Sequence, residues 1–163
     1  MNIFVLSIHP PEAARWHVDK HVVEMPLETA QMLCTVRHIY GGHDLPYKPT
    51  LIHDPCCRWV AESAENYVWL CILGIELCTE YAHRYNKEHK CEAIVNECLQ
   101  KIPKRIANKG RTKFVQVMPE QYTMDNSVLA YRNYYIQEKS HLARWSNREV
   151  PYWWSECLYI EQK

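Results

Sequence analysis

Apolar residues recur along this chain mostly at helical spacing, and the first few residues are the exception. The opening run Asn2-Ile3-Phe4-Val5-Leu6-Ser7-Ile8 is short, almost wholly apolar and closed by His9-Pro10-Pro11. No helix can continue backwards through that proline pair, so the run predicts an extended segment threaded into the core. Spacing of three and four then predicts a long helix over about 12–40. Pro11 suits its first turn, Glu12 lies near the positive end of its dipole, and Gly41-Gly42 stops it. Pro26 inside it predicts a kink.

Residues 43–55 hold Pro46, Pro49 and Pro55 and read as a loop. A second helix is expected over about 57–85, carrying Trp59, Tyr67, Trp69, Leu70, Leu73 and Leu77, and a shorter one over about 88–99, closed by Pro103. Pro119 and Asp125-Asn126 introduce a further helix over about 127–145, and the tail holds Pro151-Tyr152-Trp153-Trp154. No internal repeat or low-complexity tract interrupts this order. The expectation is a mainly α protein: residues 1–163 as one compact helical domain, with an extended N-terminal segment threaded between long helices.

Composition narrows the picture. The chain has 163 residues, of which 47% are hydrophobic and 23% charged, which suits one packed core and excludes a disordered chain. No apolar run reaches membrane-spanning length, and MNIFVLSI is too short, with no basic stretch before it, for a signal peptide. A monomer with no membrane partner that stays in the cytoplasm where it is made is therefore expected. Of the eight cysteines, Cys34, Cys71, Cys78 and Cys98 fall in helix-like apolar patterns and read as reduced thiols acting as small apolar residues. Structural zinc is the competing reading, but no CxxC pair exists and Cys56-Cys57 lacks a second pair at ligand spacing. The formal net charge is zero, so the whole-molecule field announces no nucleic-acid partner. Between Lys101 and Lys113, however, Lys104, Arg105, Lys109 and Arg111 occur with no acid among them. Such a segment lies along phosphates or is simply a solvated loop.

The first long helix carries the clearest candidate chemistry. At 100° per residue His17, His21, Glu24, Glu28, Gln31 and Thr35 fall within about an 80° sector. Val18, Val22, Met25, Met32 and Val36 flank this stripe, and Val23, Leu27, Ala30 and Cys34 cover much of the remainder. A narrow polar line of histidine and carboxylate suits a cleft, where a desolvated Glu beside His serves acid–base chemistry; it equally suits a plain solvent face. A metal reading pairs His21 and Glu24 with Glu80 and His83, as in carboxylate-bridged helical bundles, with His53-Asp54 as extra ligands.

A short extended N-terminus, then His17, then Glu24 seven residues on and Pro26 two after it, near the chain start, together resemble the pyrimidine-dimer DNA glycosylase/AP lyases of the phage endonuclease V type. Glu138-Lys139 followed by Pro151-Tyr152-Trp153-Trp154 resembles the far end of that family, and the middle matches in helix order only. The chain is also similar to small phage-encoded proteins that begin MNIFVL, a likeness that carries no chemistry and leaves open a non-catalytic phage protein whose stripe binds a small molecule or an interaction partner. The resemblance implies an α-amine nucleophile that attacks the sugar C1′, expels the base and forms an imine, after which β-elimination cuts the strand. It implies DNA as partner, damaged or modified pyrimidine as target, no cofactor, and Glu24 as the carboxylate that stabilises the cationic sugar. Asn2 is large enough to leave Met1 in place, which makes Met1 and Asn2 the amine end of the site. His17, Lys20, His21, Glu28, Arg105, Arg111, Lys139, Trp153 and Trp154 are the expected substrate contacts; Val23 and Leu27 stand where the family has arginines. Among the remaining aromatics, Tyr131, Tyr134, Tyr135 and Trp145 serve either base stacking or the core.

Overall fold

In the computed structural model, residues 1–158 are described, and they form seven α-helices with no strand among them. These are α1 (Pro10–Trp16), α2 (Asp19–Ile39), α3 (Pro55–Glu62), α4 (Ala64–Tyr85), α5 (Glu92–Gln100), α6 (Ser127–Lys139) and α7 (Tyr152–Leu158), with short 3₁₀ turns at Glu120–Tyr122 and Ser140–Leu142. The mainly helical expectation holds, but the two longest predicted helices each divide.

The first divides at His17-Val18, where both residues adopt extended backbone angles. No Gly or Pro marks the spot. The cause is Arg84 of α4, whose guanidinium donates to the carbonyls of Arg15 and His17, each at 2.9 Å, and so satisfies the open C-terminal end of α1. The same group pairs with Asp19 at 2.9 Å and Glu80 at 2.8 Å, and Arg148 holds Glu80 from the other side. Asp19 also accepts from the backbone N–H and hydroxyl of Ser146. The second predicted helix divides at Ser63, whose hydroxyl accepts from Asn66 N–H and caps α4. Buried Asn66 then ties the Trp59 carbonyl to Thr112, fixing the turn between α3 and α4 against the basic segment.

α4 is the central helix, packed against α1, α2, α3 and α5. Its Tyr67, Leu70, Cys71, Leu73 and Leu77 are buried, and Gly74 lets α2 and α5 come close: a Cβ there would stand 2.7 Å from Thr29 and 3.0 Å from Val95. α2 continues through Pro26, and His89 reaches the carbonyl of Val23, next to the acceptor that the proline leaves open. It ends as expected, with Gly41 at φ +86 and the Gly42 N–H returning to Arg37. α6 stops at Lys139 rather than Trp145, where Ser140–Leu142 tightens into the 3₁₀ turn. The cysteines from Cys34 to Cys98 are all free and buried.

The opening segment is threaded as predicted: Ile3, Phe4, Val5 and Leu6 are at most 6% exposed. It has no strand partner, so its backbone polar groups turn to side chains. Glu28 accepts from Asn2 N–H, Arg132 donates to the Leu6 carbonyl, and Trp69 donates to that of Ile8.

Candidate functional site

Threading brings the chain start to a fixed address. The Met1 α-ammonium lies 3.9 Å from Asp54 Oδ2, and both groups are mostly shielded from solvent. Asp54 is held there because it is the N-cap of α3: its Oδ1 accepts from Cys56 N–H at 2.8 Å, leaving Oδ2 to face the amine. Asn2 fixes the next residue. Its N–H meets Glu28 Oε2 at 3.1 Å, its amide donates to the Val117 carbonyl at 2.9 Å, and its Oδ1 accepts from Tyr131. Two carboxylates, Asp54 and Glu28, thus flank the amine end. Burial, reinforced by Asp54, pushes the neighbouring Cys56 and Cys57 thiols up to about 12 and about 11, so neither competes as a nucleophile at neutral pH.

Glu28 also lines a groove of ≈ 1020 Å³ that runs along α2 to the α4–α5 connection, past Glu24, Leu27, Gln31, Tyr81 and His89. Glu24 lies here, half exposed and 3.8 Å from Lys20 one turn earlier. The carboxylate next to the chain start is therefore Glu28, and Glu24 is further along the same face. The apolar Val23 and Leu27 contribute to the groove, 43% and 40% exposed.

The histidines of the predicted stripe lie elsewhere. Once the helix breaks at Val18, a single helical wheel no longer relates His17 to Glu24. His17 is fully buried, its Nδ1 2.7 Å from the Ala13 carbonyl, and burial lowers it to about 4. His21 stacks on Phe4 at 4.4 Å, has its Nδ1 2.5 Å from the Tyr135 hydroxyl, and is lowered by burial to about 3. Both are neutral core groups facing the threaded segment. Thr35, at the stripe's far end, is buried and pins Thr50 of the following loop.

The four residues of the metal reading are not brought together. Glu80 is taken by Arg84 and Arg148, His83 is 3.1 Å from the Asn147 carbonyl, His21 is paired with Tyr135, and Glu24 is on the outer face of α2. Among the described residues no three His, Cys, Asp or Glu side chains converge as metal ligands. Trp153 and Trp154, 3% and 8% exposed, pack in an aromatic cluster with Trp16, Tyr135 and Trp145, which leaves them no face for a base. Lys139 lies over Tyr134 at 5.4 Å on the last turn of α6. In the basic segment Lys101 and Lys109 pair with Glu97 and Glu62, Arg111 covers Phe114 at 4.2 Å, and Arg105 is exposed.

Asp54 and Arg84 are the residues that sequence reasoning missed in these roles. Asp54-Pro55 opening an apolar run is an N-cap signature, so the cap was readable and its second partner was not. Arg84 carries no local signal. No helix among the described residues is long and apolar enough to cross a membrane. Comparison with protein-family models, with characterised proteins and with solved structures finds no match to this chain.

Proposed function

We propose that this chain is a DNA glycosylase with AP lyase activity, whose nucleophile is the N-terminal α-amine and whose carboxylates are Asp54 and Glu28. The observation that carries the reading is the placement of that amine 3.9 Å from Asp54, with Glu28 bonded to the very next peptide N–H. An α-amine is less basic than a lysine side chain, so more of it is neutral near pH 7. Its lone pair attacks C1′ of the damaged nucleotide as the bond from C1′ to the base breaks, and the base leaves as its anion and takes a proton from water. Asp54 takes the proton from the attacking nitrogen and returns it to the ring oxygen as the bond from that oxygen to C1′ breaks, which completes the imine. Glu28, acceptor-only and fixed at the Asn2 peptide N–H one residue from that nitrogen, stabilises the positive charge on sugar and imine. Removal of a C2′ proton then expels the 3′ phosphate and cuts the strand. The groove along α2, ≈ 1020 Å³ and lined by both Glu24 and Glu28, is the space that would receive the displaced nucleotide.

Borohydride reduction of protein mixed with duplex DNA holding one abasic site tests this. The expected product is a covalent adduct whose tryptic mass places the DNA on the residue-1 nitrogen. No adduct, or an adduct on a lysine, overturns the imine at the chain start. A protein with the same fold but an acetylated N-terminus is expected to lose trapping altogether.

A further inference from the structure

Packing of α2 against α5 brings two thiols and a guanidinium together. Cys34 and Arg37 lie one turn apart on α2 and so share a face, and Cys98 of α5 meets them there. Arg37 donates to Cys98 Sγ at 3.9 Å, and Cys34 donates to the same sulfur. α5 is fixed at this residue, because the buried Tyr67 hydroxyl of α4 donates to the Cys98 carbonyl at 3.1 Å. Two donors on one sulfur favour its thiolate: the hydrogen bond from Cys34, joined by that from Arg37, holds Cys98 below the ordinary thiol value although burial opposes it. Cys34, which keeps its proton in that bond, is raised. Cys56, Cys57, Cys71 and Cys78 differ, for burial raises all four. Both sulfurs of the pair are buried, but Arg37 is not sealed off. Its side chain is 12% exposed and lines a polar cavity of ≈ 470 Å³ beside Gly41-Gly42, where Glu97 pairs with it at 3.2 Å and Lys101 pairs with Glu97 in turn.

We propose that Cys98 is a peroxide-reactive cysteine and Cys34 its resolving partner, so that the chain takes up a reversible disulfide between α2 and α5. Hydrogen peroxide is the oxidant, and the steps balance with it alone. The Cys98 thiolate attacks one peroxide oxygen, the O–O bond breaks, and the departing hydroxide takes up the proton that the thiol released, leaving Cys98 as a sulfenic acid. The Cys34 sulfur then attacks the Cys98 sulfur; the S–O bond breaks, and hydroxide leaves with the Cys34 proton as water. Two electrons pass from the sulfurs to the peroxide, which ends as two waters. The oxidant is uncharged and little larger than water, and it reaches Cys98 along Arg37 from the polar cavity. Cys34 is the resolving thiol rather than Cys71 because it is Cys34 that bonds to the reacting sulfur. The pair shares no residue with the amine, Asp54 or Glu28, so it stands or falls separately from the imine chemistry.

Oxidation of the full chain followed by peptide mapping tests it. Reduced protein, freed of reductant, is given one equivalent of hydrogen peroxide at neutral pH, blocked with iodoacetamide and digested without reduction. The expected product is one pair of peptides joined through Cys34 and Cys98, and dithiothreitol should separate it. In Cys34→Ala, dimedone should label Cys98 as the sulfenic acid, and in Cys98→Ala, Cys34 should stay unoxidised. Arg37→Gln should slow the linkage about tenfold and move its pH profile upward, because the thiolate loses a charged donor. Lys101→Gln, which loses only the pairing with Glu97, should stay within about twofold of the parent rate. The map of the parent chain decides the pairing by itself, even where a variant fails to fold. No linked peptide, a link that forms first through any other cysteine, or an unchanged rate and pH profile in folded Arg37→Gln would sink the proposal.

Discussion

Two carboxylates one helical turn apart illustrate how much a single position decides. Glu28 accepts from the backbone of the chain start, and Glu24 pairs with Lys20. Glu28→Gln keeps an acceptor for Asn2 N–H but removes the charge, so stability is expected to change by less than about 1 kcal/mol while the rate of adduct trapping falls about 100-fold. Glu24→Gln is expected to leave that rate within about twofold; a rate loss confined to Glu24→Gln would return the catalytic role to that position. His17 and His21 make a second residue-scale case. Burial lowers both, to about 4 and about 3, from the ordinary histidine value near 6.5. With the folded value below the unfolded one, the unfolded chain takes up protons first as pH falls. Stability is therefore complete above about pH 6.5 and lost below it, at up to about 1.4 kcal/mol per pH unit for each histidine. Asp19 and Glu80 act in the same direction at lower pH: burial opposes their ionisation, but hydrogen bonds from Ser146 to Asp19, and from Arg148 and Arg84 to Glu80, outweigh it and hold both low. Thermal melts from pH 7 to 4 should show a steady fall, and His21→Gln should flatten it by about half; a flat profile would contradict neutral burial.

At the scale of elements, the join between α1 and α2 rests on a group far away in sequence. Arg84→Met leaves Glu80 and Asp19 short of a partner and the end of α1 uncapped, for an expected loss of about 3–5 kcal/mol by chemical denaturation. In a chain of this length that is roughly 10 °C in melting temperature. Gly74→Ala, which forces a methyl onto Thr29 and Val95, is expected to cost about 1–3 kcal/mol by the same measurement. The same contrast explains which boundaries were legible. Gly41-Gly42 ends α2 because the left-handed turn is a property of the glycine itself, and the sequence states it openly. His17-Val18 ends α1 because of a guanidinium contributed 67 residues later, and the apolar periodicity runs straight across it. Ser63 lies between: its cap is readable from Ser63 and Asn66, but the helical spacing on either side is continuous enough to hide it.

For the molecule as a whole, helix content and the threaded N-terminus were readable because both follow from local periodicity and from the prolines at 10 and 11. The candidate site was half readable. Periodicity placed Glu28 on the correct face of α2, but nothing local says which of Glu24 and Glu28 the chain start will meet, since that depends on how far the segment slides between α2 and α6. Spacing alone also could not show that His17 and His21 turn inward, because the wheel that grouped them with Glu24 assumes a helix that Arg84 interrupts.

The threaded segment has one more consequence, for the order in which the chain assembles. Its partners are Glu28, Asp54, Val117, Tyr131 and Arg132, so the residues made first must wait for residues made more than a hundred positions later. Closing such long loops is slow and yields nothing until the far partner exists. Pulse-labelled hydrogen exchange during refolding should therefore find the amides of Asn2 and Ile3 among the last protected, after those of α4. A chain stalled on the ribosome before residue 131 would lack Tyr131 and Arg132, so Glu28 and Asp54 would already be made while the segment that brings the amine to them still lay in the open.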